Sequence, residues 1–170
     1  FCLAAVQFAF SATFVAFVHT VTDAGMTLSG MIVSAAMAIS IVLRFLMGLA
    51  ADRVGGGQVL VLSGLVVFTA ALGCALLVNA HYTPLAVTGI VLGAVSFSWN
   101  GVYLSEVAAT VPADQIATAT AGTMLATYFG GAVGPGVFTA VTSLSGYRFA
   151  FLVLAGFGAV AALALTVQRQ

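Results

Sequence analysis

The chain has 170 residues, of which 62% are hydrophobic and 5% charged, and its formal net charge is zero. A soluble domain is about a quarter charged, so a fold with a water-facing surface all round is excluded, and the mean hydropathy of +1.22 points to lipid as the solvent. With four arginines, no lysine and no basic patch, nothing is present to neutralise phosphates, which excludes nucleic acid as a partner.

A helix needs about 20 apolar residues to cross the hydrocarbon core of a bilayer. Six stretches meet that requirement: 1–21, 28–50, 59–78, 84–106, 115–141 and 148–167. Asp23-Ala24-Gly25 closes the first, residues 52–57 separate the second from the third, and residues 79–84 the third from the fourth. Pro112 and Asp114 open the fifth, where proline is tolerated in a first turn and aspartate is placed to cap it. Ser143-Leu144-Ser145-Gly146 is a turn before the sixth. Apolar runs this long without alternation exclude barrel strands, which are about 10 residues. The expected fold class is an all-α membrane bundle of six transmembrane helices, each antiparallel to the next. Both ends then share one side with Arg53 and Arg169, against Arg148 opposite, and the positive-inside rule favours cytoplasmic ends. The chain begins at Phe1 without a basic leader, and the expectation is a segment of a longer polypeptide. Cys2 and Cys74 lie in apolar stretches, away from any metal-ligand spacing. No metal site and no cofactor is expected.

Between the second and third spans runs Gly48-Leu49-Ala50-Ala51-Asp52-Arg53-Val54-Gly55. Gly48 lets another helix approach closely. A carboxylate at Asp52, in a tight turn at the membrane surface, can meet the positive end of a neighbouring helix for about 0.3–1 kcal/mol, or up to 2 when partly buried. A plain solvated turn is the alternative. This pattern resembles the G-x-x-x-D-R-x-G loop motif of the major facilitator superfamily, twelve-helix secondary transporters built from two six-helix halves. The resemblance covers the whole chain: six spans, the motif after the second, and a glycine-proline fifth helix. It implies a 3+3 inverted repeat, here about 1–80 and 81–170, and a gating loop (Gly48, Asp52, Arg53, Gly55) that latches two halves in one conformational state. Where the family has basic residues after the second glycine, this chain has Gly56, Gly57 and Gln58, so that arm is missing or supplied by Arg53. The fourth span lacks the arginine usual in an N-terminal half. Its Trp99–Glu106 stretch resembles a tenth helix, and Ser145–Phe151 the start of a twelfth. The resemblance therefore implies a C-terminal half, helices seven to twelve, whose partner is the N-terminal six-helix half of the same chain. The implied activity is secondary active transport of a small-molecule substrate across a bacterial inner membrane, with or without a coupling proton or ion. A non-transporting scaffold or sensor of the same fold is the alternative. A membrane enzyme would need a convergent nucleophile–base set or metal cluster, and the sequence offers none.

An ionisable side chain at the centre of a bilayer costs roughly 2.5–3.5 kcal/mol on insertion scales. Arg44 lies eight residues before Asp52, about 12 Å along the second helix at 1.5 Å per residue. It either snorkels to the surface or pairs with Glu106, at the same-side end of the fourth span, in an intramembrane charge network. Ser96, Asn100 and Tyr103 stand at i, i+4 and i+7 on one face, flanked by Trp99. Gln7 is the strongly polar residue of the first span. First and fourth helices of each half line the central cavity in the resembled family, which makes these five the substrate-cavity candidates. Interhelical hydrogen bonding, about 0.6 kcal/mol on average in membranes, is the competing reading. His19 and His81 are either interfacial anchors or groups for proton coupling. Gly122, Ala126, Gly130 and Gly134 form a small-residue ridge for close packing, and Pro135 is expected to kink the fifth helix near Gly131. Gly89, Gly93 and Gly101 do similar packing work on the fourth.

Overall fold

The computed structural model describes residues 1–167, and Arg169 lies outside them. Among the described residues the chain forms α1 (Cys2–Val21), α2 (Met26–Val54), α3 (Gly56–Leu76), α4 (Tyr82–Ser98), α5 (Asn100–Thr110), α6 (Ile116–Ser145) and α7 (Tyr147–Val167), with a 3-10 turn at Ala113–Gln115. Six spans are long and apolar enough to cross a membrane, with α4 and α5 together making the fourth, Tyr82–Thr110. The all-α six-span expectation holds.

Two turns are tighter than the sequence suggested. α2 runs on to Val54, so Gly48, Asp52 and Arg53 lie inside a helix and not in a loop. The whole reversal into α3 is made at Gly55, with φ +91° and its N–H bonded to Ala51 O at 2.8 Å. α6 likewise runs to Ser145 and turns at Gly146, φ +86°. A residue without a Cβ takes positive φ at little cost, so one glycine replaces a longer turn. Asp114 is corrected as well: it lies in the 3-10 turn, and α6 starts behind Gln115 with no side-chain cap.

The packing pairs α1 with α6, α2 with α4 and α3 with α7. Glycines set the closest approaches. Gly130 and Gly134 of α6 lie on the backbone of Phe1 and Ala5, and a Cβ at Gly134 would stand 2.7 Å from Ala5 Cα. On the α3–α7 seam, a Cβ at Gly158 would stand 2.7 Å from Phe68 N, and one at Gly64 would stand 2.9 Å from Ala162 N. Gly89 and Gly93 of α4 seat the rings of Phe14 and Phe10. Gly122, by contrast, has nothing within 4 Å, so that end of the ridge is unpacked. α6 remains helical through Pro135. An aromatic core ties α1 to α6 and α7: Phe10 stacks on Phe14 at 4.4 Å, while Phe151 meets Phe17 at 4.6 Å and Phe138 at 5.1 Å. Hydroxyls along the spans donate back to carbonyls of the preceding turn, as Thr13 does to Ala9 O at 2.7 Å and Ser63 to Val59 O at 2.8 Å. That satisfies them where lipid offers no partner.

Three alanine substitutions separate close packing from mere glycine content. Gly134→Ala and Gly158→Ala place a methyl against backbone, and overpacking of this kind costs about 1–3 kcal/mol. Gly156→Ala enters open space. In thermal unfolding of the intact protein the first two are expected to lower the midpoint, and the third to leave it unchanged or raise it.

Candidate functional site

The fourth span is interrupted at Trp99, between α4 and α5, although its dihedral angles (φ −70°, ψ −26°) stay helical and the two pieces together make one span. Three of the sequence candidates meet at this joint. Gln7 Oε1, from α1, accepts from Trp99 Nε1 and from Asn100 Nδ2, each at 3.2 Å. Trp99 is 3% exposed, and a buried indole N–H normally finds such a partner. Tyr103 adds its ring edge-on to Trp99 at 5.5 Å. Gln7, Asn100 and Tyr103 are half-buried. Ser96 is not: it has no exposure, and its hydroxyl has no hydrogen-bond partner among the described residues. α4 is packed by α1, α2 and α3 together, which encloses a small residue on its length. Ser96 is therefore enclosed in the bundle interior and faces no open cavity, whereas Trp99, with Tyr103, borders a hollow of about 300 Å³ toward Phe1 and α7.

The two residues of the expected charge network are held elsewhere. Arg44 Nη2 donates to Phe97 O at 2.6 Å. Glu106 turns toward the start of α3, where its Cδ would lie 2.7 Å from a Cβ at Gly56. The first N–H groups of a helix are unpaired and carry its positive dipole end. The Glu106 carboxylate thus lies at the positive start of α3, in the space that Gly56, having no side chain, leaves open. Asp52 is exposed on the last turn of α2. With Arg44, Gly48, Gly101 and Ser105 it lines a hollow of about 300 Å³ between α2 and α5. Arg53 is exposed beside it.

His19 Nδ1 lies 3.1 Å from Ala24 O and ties the end of α1 to its turn. His81 precedes α4, exposed and without a capping bond. Sequence reasoning missed three features: Gly56 as the seat of Glu106, the Gly64–Gly158 seam, and the joint at Trp99. A signal for the first was present in the glycines standing where basic residues are usual.

The match that decides the family spans nearly the whole chain: residues 1–169 fit the model described as Major Facilitator Superfamily. The chain belongs to the major facilitator superfamily. No curated protein and no solved structure matches it. Membership makes it a multi-pass membrane protein of a transporter family, and its Gln7–Trp99–Asn100 contact joins α1 to the fourth span by side-chain hydrogen bonds.

A double-mutant cycle on Gln7→Ala and Asn100→Ala, read by unfolding of this superfamily member in detergent micelles, is expected to give a coupling of about 0.6–1.7 kcal/mol, the range for interhelical hydrogen bonds in membranes. Additive losses would mean the contact is not formed in solution.

Proposed function

We propose that this chain is the C-terminal six-helix half of a secondary transporter that moves a small solute by alternating access. The observation that carries the reading is the uneven burial of the spans. Over their most apolar windows α2 and α6 are 17% and 22% buried, whereas the fourth span is 61% and α1 and α3 are each 50%. Two helices with so little cover need a further surface, and a second six-helix half supplies one. The pairing of spans supports the 3+3 inverted repeat. Exchanging the first three spans with the last three turns the first–fifth pair into the fourth–second pair and leaves third–sixth unchanged, and these are the pairs that pack. In this reading the repeat units are about 1–80 and 81–170.

Solute binding is assigned to Gln7 and Asn100, whose remaining amide groups offer both donors and acceptors, with Tyr103 beside them. The α2–α3 connection is the gate: Glu106 clasps the start of α3 through Gly56, and Asp52 and Arg53 are free to engage the other half. The segment is placed in a bacterial inner membrane with both ends cytoplasmic, from Arg53 and Arg169 on that side. Coupling to a proton or ion is left to the other half, because this one holds no carboxylate in mid-membrane.

Uptake by the intact protein in proteoliposomes, screened over radiolabelled neutral and zwitterionic solutes, tests the reading. For a solute that is taken up, Asn100→Ala is expected to raise KM about five-fold or more with the maximal rate less affected, the signature of lost binding. Gly56→Val, which drives a side chain into Glu106, is expected to change the maximal rate instead. Uptake of none of these solutes, or an Asn100→Ala protein with unchanged KM, contradicts the assignment.

A further inference from the structure

Contacts from two other helices converge on the one place where the fourth span stops being a regular helix. Phe97 lies in the last turn of α4, among the carbonyls that a helix end leaves without an intrahelical partner. Arg44 of α2 donates to it at 2.6 Å, and the stem of Arg44 runs along Gly101 just past the joint. One residue on, the Ser98 hydroxyl is 3.2 Å from Ser40 O, one turn before Arg44 on the same helix. From α1, Gln7 holds Trp99 and Asn100. In hydrocarbon an orphan carbonyl has no water to turn to, and a bond from a guanidinium is of the strong, charge-assisted kind. An arginine at this depth is costly, so a structural gain must hold it there.

We propose that Arg44 is a positioning residue of the fourth span: by capping Phe97 O it holds the joint at Trp99 in the arrangement that keeps Trp99 and Asn100 on Gln7. A residue on α2 thereby sets the groups assigned above to the solute, and only this consequence rests on the transport reading. Arg44 needs no salt bridge to earn its place in the membrane, since a backbone carbonyl is its partner. The fork geometry of the guanidinium leaves further donors toward the hollow it shares with Asp52 and Ser105.

The test uses the intact protein in lipid nanodiscs, labelled with 5-fluorotryptophan, with the Trp99 resonance assigned by its loss in Trp99→Phe. Amide exchange is followed in parallel by mass spectrometry. Arg44→Leu is expected to shift or split the Trp99 resonance and to speed exchange over residues 97–103 by about ten-fold or more, while α3 and α7 stay within about two-fold. Arg44→Lys, which keeps a cationic donor on a long stem, is expected to retain the original resonance. If Arg44→Leu does not insert, Arg44→Gln is read the same way. An unchanged resonance with unchanged exchange at the joint overturns the proposal. So does faster exchange spread evenly over every helix, or failure of Arg44→Lys to keep the resonance. None of these readings needs a solute, so they stand apart from the outcome of the uptake assay.

Discussion

A polar group in the hydrocarbon core must find its partner inside the protein, because no water is there to replace one. That constraint organises this chain from its helices to its candidate site. It makes every span helical, and it folds serine and threonine hydroxyls back onto the preceding turn. It also singles out the joint at Trp99, where regular helix lapses and two side chains and one backbone carbonyl from neighbouring helices attend to the groups around it. Gln7, Ser40 and Arg44 are unremarkable as isolated residues. Together they surround one irregularity in one span, and the solute groups proposed for this half lie on that irregularity.

Hydrocarbon also removes the usual driving force for helix association, since a lipid tail is as apolar as a leucine. Close packing takes its place. Gly130 and Gly134 bring α6 onto the backbone of α1, and Gly64 and Gly158 do the same between α3 and α7. The aromatic cluster around Phe14 and Phe151 fills the space these seams enclose. The same residue type then serves a different end at the α2–α3 connection. Gly55 supplies the reversal, and Gly56 leaves room for the Glu106 carboxylate at the positive end of α3. A basic side chain in that position would occupy the space the carboxylate uses.

The spans were legible because composition and length alone dictate them in a bilayer, and every one was placed within a few residues. Their ends were less so: Gly55 and Gly146 each make a turn alone, and nothing in the flanking residues announces that α2 will stay helical through Asp52. The meeting of Gln7 with Asn100 was half legible, since both were picked out as polar residues on apolar helices and their direct contact was the competing reading. Ser96 was misplaced because periodicity gives a face but not what covers it. For Arg44 the sequence offered the membrane surface or a carboxylate partner, because sequence shows charges and hides backbone carbonyls. Its actual acceptor, Phe97 O, belongs to a residue with no polar side chain to mark it.

The proposed transport reading rests on family membership and on the exposed lengths of α2 and α6: six helices whose remaining surface a second half would close. Oxygen accessibility of nitroxide labels, scanned along α2 and α6 of the intact protein in liposomes, tests that claim most directly. The account predicts that on each helix a stripe of positions exposed here, recurring at helical spacing, is shielded from oxygen, while a label at Leu163 on α7 remains accessible. Labels as accessible as Leu163 at every exposed position of both helices would contradict it.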